Sequence, residues 1–137
     1  MNNNTLQSNL KIVDLYHEKF EFYQSRLEQR MKLTPTFNVN YSENSNNRNQ
    51  IKVQIDTCIK DSEGNYRLTL STIGIFELDK EGVAEDVAQI ILKKNTTSIM
   101  FPYIRSQISL LTTQPGIHPI LIPPINVNAL VKDENEH

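Results

Sequence analysis

Three histidines, one cysteine and a short run of carboxylates are the groups in this 137-residue chain that could do chemistry. His17, His118 and His137 lie far apart, and no two stand at a metal-ligand spacing. Cys58 would need a neighbouring base and an anion-stabilising site to act as a nucleophile, and no motif supplies either. On an apolar strand it reads as inert packing. Glu81, Glu85 and Asp86 resemble a carboxylate cluster, but the solvated first turn of a helix accounts for them better. Gly64, Gly74, Gly82 and Gly116 are too dispersed to form a phosphate-binding loop. The expectation is a protein with no catalytic residues, no metal and no cofactor.

Composition narrows the class. At 38% apolar and 22% charged the chain is an ordinary globular protein, long enough for one domain with its own core. A net charge of −2 gives no electrostatic case for nucleic acid or an anionic membrane surface. A single cysteine cannot make an intrachain disulfide, which fits a reducing compartment. The polar start Met1-Asn2-Asn3-Asn4-Thr5 lacks the regions of a signal peptide. No apolar run approaches the roughly 20 residues a spanning helix needs. The expectation is cytoplasmic, without membrane insertion. The N-x-S/T matches at Asn3, Asn40 and Asn95 are then chance hits.

The elements follow from periodicity. Residues 10–23 alternate in more than one phase: Leu10 and Ile12, then Val13 and Leu15, then Phe20 and Phe22. Such a slip predicts a bulge or a change of buried face. Residues 24–32 form a polar crossing segment that carries Leu27 and Met31. Phe37, Val39 and Tyr41 mark a second strand, followed by a polar loop over 42–49. Ile51, Val53, Ile55 and Ile59 mark a third, buried on one face, and 61–65 is turn chemistry. Tyr66, Leu68 and Leu70 keep one face, whereas Ile73 and Ile75 fall on the other. Gly74 beside that slip predicts either a bulge or close packing by another backbone. Helical spacing takes over at Val83, Val87, Ile90 and Ile91, with Asn95 as the expected stop. The predicted architecture is α+β: a four-stranded antiparallel meander with helices on one face, in a single domain over 1–137. Residues 1–8 and 132–137 read as tails.

The organising stretch is 97–130. Phe101, Ile104, Ile108 and Leu111 recur at helical spacing, with Thr97 or Ser98 as cap and Pro102 in the first turn. Gln114-Pro115-Gly116 ends that helix. The apolar run 117–125 is broken by Pro119, Pro123 and Pro124, which exclude a helix or a central strand and leave a stiff extended loop. Asn126 then caps a short last helix. Ile99-Met100-Phe101-Pro102-Tyr103-Ile104-Arg105 and Pro124-Ile125-Asn126-Val127-Asn128-Ala129-Leu130 together resemble two anchored motifs of the SecB export-chaperone family. The resemblance covers most of the chain and is weak before Gly74.

That resemblance implies a homotetramer built as a dimer of dimers, whose apolar grooves hold non-native polypeptides without ATP. Helix and lid carry more apolar side chains than one sheet face needs. The candidate client groove comprises Leu27, Met31, Leu33, Met100, Leu110, Ile117, Ile120, Leu121 and Ile122. In the family, the SecA motor docks on the solvent face of the sheet through acidic residues of the first and last strands. The corresponding positions here are Lys19, Tyr23 and Thr69, with Arg67 in place of an apolar neighbour; none of the four is acidic and two are basic. Weak docking, or none, is expected. Two other classes stand beside the holdase: an adaptor dedicated to one client, such as an antitoxin, and a small-molecule enzyme that uses the groove as its pocket.

Overall fold

The computed structural model describes residues 10–25, 32–79 and 82–123. Four strands, β1 (Leu10–Gln24), β2 (Thr34–Asn44), β3 (Asn47–Lys60) and β4 (Tyr66–Leu78), form one antiparallel sheet. Strands β2, β3 and β4 make the expected meander. Strand β1 joins beside β4, so the order is β1-β4-β3-β2 and both β1 and β2 are edges. The α+β class with one covered face is as the periodicity predicts.

Alternation fixes the register. Ile51, Val53, Ile55 and Ile59 of β3 are all buried under the helix, and their neighbours Lys52, Gln54, Asp56 and Cys58 line the outer face. Cys58 is therefore half-buried beside Thr36 and Thr69, a more polar setting than the apolar one expected. The β3–β4 pairing runs unbroken from Gln50↔Glu77 to Lys60↔Arg67. Gly74 thus marks close packing and no bulge: an added Cβ would lie 2.5 Å from Phe76 Cε2 and 2.8 Å from Met100 Sδ. The phase slips in β1 are genuine bulges, between Ile12 and Asp14 and between His17 and Lys19. They keep Leu10, Ile12, Leu15, His17, Phe20 and Phe22 opposite the helix-facing residues of β4.

One of the two hairpin loops differs from expectation. The polar stretch 42–49 is mostly strand, reduced to a turn at Ser45-Asn46. Asparagine side chains take over the turn's backbone bonding: Asn46 N–H donates to Asn44 Oδ1 and Asn49 N–H to Asn47 Oδ1, both at 3.0 Å. The second hairpin closes as predicted, with Tyr66 N–H donating to Asp61 Oδ1 at 3.1 Å.

The largest correction concerns the helices. A single helix, α1 (Glu85–Thr112), replaces the expected pair, running through Asn95 and carrying Pro102 in its interior. Thr97 and Ser98 do not cap it. Thr96 Oγ1 instead donates to the Leu92 carbonyl at 2.7 Å, and Thr97 Oγ1 pairs with the Tyr41 hydroxyl at 2.8 Å. Glu85 and Asp86 occupy the first turn, where acidic groups are favoured. Buried positions recur every four residues: Ala88, Leu92, Thr96, Met100, Ile104, Ile108 and Thr112. Four residues exceed one turn by about 40°, so the buried stripe winds around the helix as it crosses the sheet. Burial along this stripe outweighs the weak breaker at Asn95 and the missing N–H of the exposed Pro102.

Gln89 to Glu43 (3.1 Å), Thr97 to Tyr41, and Phe101 edge-on to Phe37 (5.3 Å) trace α1 antiparallel along β2. On the helix-side face of β1, Leu10, Leu15 and Phe22 pack partly buried against the core, while Ile12 and Phe20 are exposed. Among the described residues no helix is long and apolar enough to cross a membrane. The expected tails, the crossing segment over 26–31 and the last helix from Asn126 fall outside the described residues.

Candidate client-binding site

Beyond α1 the chain turns at Gly116 (φ +79°), which follows Pro115, and becomes the extended strap expected from its prolines. Proline nitrogens donate no hydrogen bond and the strap has no strand partner, so side chains must meet its remaining polar groups. Gln24, at the end of β1, does so twice: its amide donates to the Gly116 carbonyl at 2.7 Å and accepts from His118 N–H at 3.1 Å. The Tyr66 hydroxyl donates to the His118 carbonyl at 3.0 Å, and burial pushes this phenol up to about 12, so it remains a donor. Thr112 Oγ1 accepts Ile120 N–H at 3.0 Å, and Arg105 Nε donates to the Ile122 carbonyl at 2.9 Å. Each such bond contributes on the order of 1 kcal/mol. Together they hold the strap in place.

Extended geometry alternates its side chains. Ile120 and Ile122 are buried, while Leu121 between them is 81% exposed. Two grooves flank this crest. One, of about 440 Å³, lies between the strap and the sheet end and is lined by Leu33, Pro35, Ile59, Pro119, Ile120 and Ile122 among others. The other, of about 540 Å³, lies between the strap and α1, against Arg105, Ser106, Ser109, Leu110 and Thr113. Leu121 and Ile122 line both.

Leu33, Ile120, Leu121 and Ile122 therefore meet at the first groove, and Leu110 (61% exposed), Leu121 and Ile122 at the second. Ile117 is half-buried at the strap's start. Met100 does not line either groove: it is fully buried against Gly74, because the winding stripe turns this position to the sheet. Leu27 and Met31 lie outside the described residues. His118 is half-buried with its ring edge-on to Tyr66 at 6.2 Å; it is not the solvent-facing loop residue expected. Gln24, Tyr66, Arg105 and Thr112 escaped sequence reasoning as parts of the site. Only Arg105 carried a signal, as the last residue of the Phe101-Pro102-Tyr103-Ile104-Arg105 motif.

The docking positions gather on the outer sheet face. Tyr23 sits opposite Arg67, Glu21 opposite Thr69 and Lys19 opposite Ser71. Glu21 is the nearest carboxylate, and it is engaged: Lys19 Nζ stands 2.8 Å away and holds its carboxyl below the usual range, with Arg67 adding to the effect. One row further, Asp56 accepts from Ser71 and from Gln54. The face mixes charges of both signs and has no acidic patch at these positions. Among the described residues no cluster of three or more His, Cys, Asp or Glu side chains is placed to hold a metal.

Comparison with known proteins agrees with this geometry. The family model described as preprotein translocase subunit SecB matches residues 3–137. An uncharacterised protein of Methanocaldococcus jannaschii is 35% identical over 74 residues, covering 50% of this chain and 46% of that one. The protein-export protein SecB of Neisseria meningitidis is 36% identical over 63 residues, 46% of this chain and 42% of that one. The match thus spans less than half the length of either relative. The SecB-like chaperone Rv1957 of Mycobacterium tuberculosis, solved with a ChAD peptide from the HigA1 antitoxin, superposes with a TM-score of 0.71. That superposition covers 90% of this chain and 93% of the other at 14% identity, and it establishes the shared fold. With the sheet order, the strap and the family match in agreement, the chain belongs to the SecB family.

Proposed function

We propose that this protein is an ATP-independent holdase that keeps non-native polypeptides from aggregating in the cytoplasm. The observation that carries the reading is the strap: an exposed Leu121 on a crest between two grooves, fixed in place by four side chains. Leu121 and Leu110, both exposed, put apolar surface along the groove between strap and helix. Extended client segments lay apolar side chains into these grooves, and weak contacts joined along one chain gain affinity through effective concentration. The working form is a homotetramer, a dimer of dimers. In support, β1 is an edge strand with Ile12 and Phe20 exposed on its helix-side face, and Val87 and Ile90 are exposed on α1. The chemistry is binding, with no catalysis and no cofactor.

A second reading has one specific observation behind it, the antitoxin peptide bound to the M. tuberculosis relative. In that reading the same grooves serve one dedicated client. Suppression of aggregation of several unrelated unfolded proteins, with light scattering for the tetramer, tests the general holdase. Activity toward none of them, alongside capture of a single antitoxin from the host, would establish the adaptor. A monomer at micromolar concentration would remove the quaternary basis of both.

A further inference from the structure

Leu10, Ile12, Leu15, His17, Phe20 and Phe22 of β1 lie opposite the helix-facing residues of β4, and of these only His17 can gain a charge. Helix α1 runs along β2, at the other edge of the sheet, and Ile12 and Phe20 stay exposed on either side of His17. The imidazole is half-buried, and its Nδ1 stands 2.9 Å from Oγ1 of the fully buried Thr72. That bond survives protonation, because the hydroxyl can accept from an imidazolium as well as donate to a neutral ring. A charge, however, finds no partner here. Strand β4 faces the ring with Leu70, Thr72 and Gly74, none of them titratable. On β1 the carboxylates closest in sequence are Asp14, which accepts from Leu15 N–H, the exposed Glu18, and Glu21, which is paired with Lys19. Lys93 and Arg105 of α1 are turned to the Tyr41 ring and to the strap. Burial alone lowers the pKa of His17, with no charged group contributing.

From this placement we infer that His17 makes subunit assembly pH-sensitive: a second copy of the chain covers the face around Ile12, His17 and Phe20 while the ring is neutral, and protonation loosens that contact. The inference rests on the tetramer reading. A second copy is the occupant because the face from Leu10 to Phe22 is apolar and, with His17 neutral, uncharged, so it meets its own two-fold image with no like charges opposed. With His17 protonated, each such contact brings two cations into an apolar interface without carboxylates to pair them. Added burial lowers the pKa of the ring further in the assembled state. Assembly is therefore fully favoured above the dissociated-state pKa, itself below 6.5, and weakens as pH falls through it toward the assembled-state value. Each ring that must lose its proton weakens association by up to about tenfold per pH unit, and the pair by up to about a hundredfold.

The test is sedimentation velocity of the full-length protein over a dilution series at about pH 7.5 and about pH 5, with circular dichroism to confirm that each sample is folded. The wild type should be assembled at the higher pH, with a subunit dissociation constant that rises about tenfold or more at the lower. H17Q, which cannot charge, should assemble equally at both. H17K, charged throughout, should assemble weakly at both. Dilution calorimetry of the wild type at about pH 6, in two buffers of different ionisation heat, should show proton uptake on dissociation, a readout that needs no variant. A wild-type constant that changes by less than about twofold, an absence of proton uptake, or an H17Q protein as pH-sensitive as the wild type overturns the inference and leaves the tetramer standing. A folded wild type that is monomeric at both pH values overturns the tetramer reading and the inference together.

Discussion

Adjacent residues of the strap should separate client binding from stability. Leu121 is 81% exposed and Ile122 only 7%, although they are neighbours of similar size. Leu121→Asp puts a carboxylate where the free chain already meets water, so stability should change by less than about 0.5 kcal/mol. If a client covers Leu121, that substitution removes about 1.5–3 kcal/mol of apolar burial and lowers affinity roughly ten- to a hundredfold. Ile122→Ala does the opposite. It opens a cavity beside a core position and costs about 2–3 kcal/mol, the low end for such truncations because the site lies near the surface. With a urea dependence of about 1–3 kcal/mol per molar, the midpoint should fall by about 1 M or more. Alanine is the informative replacement at 122, since an aspartate would add the cost of a buried charge to that of the lost packing. The assay is urea unfolding followed by fluorescence at one fixed protein concentration, with the dissociation constant for an unfolded client measured on the same samples. A folded Leu121→Asp protein that binds its client within twofold of wild type would refute the crest as the contact. An Ile122→Ala protein as stable as wild type would refute the strap's packing.

Gly74→Ala should destabilise the fold by about 1–3 kcal/mol, since the added Cβ collides with Phe76 and Met100; calorimetry should find this cost coupled to substitutions at Met100. Burial lowers the His17 pKa below its ordinary 6.5, which stabilises the fold fully above pH 6.5 and is lost as pH falls through the folded-state value. Stability against pH should therefore slope upward below 6.5, and the slope should flatten in His17→Gln, which retains a partner for Thr72. Titration with SecA of the same host should give weak or no binding: Lys19, Tyr23, Arg67 and Thr69 share one face without a free acidic patch. Each missing exposed pair costs about 0.2–1 kcal/mol, and three of them at about 0.5 kcal/mol or more exceed a tenfold loss. Submicromolar, salt-sensitive binding would reverse this conclusion.

Period-two alternation at Ile51, Val53 and Ile55 located β3 and its buried face, and the phase changes after Ile12 and before Phe20 located the bulges of β1. These signals are local: a strand that buries one face must alternate, and an extra residue must break the alternation. Prolines at 119 and 123 and the Pro115-Gly116 pair likewise identified the strap from backbone chemistry alone.

Tertiary structure decided the rest. Asn95, Thr97 and Pro102 all argue locally for a break, yet α1 runs through them because the stripe from Ala88 to Thr112 buries more on one continuous helix. The same winding turns Met100 into the core, although it falls outside the stripe of Phe101, Ile104, Ile108 and Leu111 expected to face the sheet. The strap's position rests on Gln24, Tyr66 and Arg105, whose bonds to it span 92, 52 and 17 residues of chain. A side chain that donates to a distant backbone carbonyl leaves no period and no neighbouring partner in the sequence. Its role exists only once the sheet order β1-β4-β3-β2 has brought the ends of β1 and β4 beneath the strap.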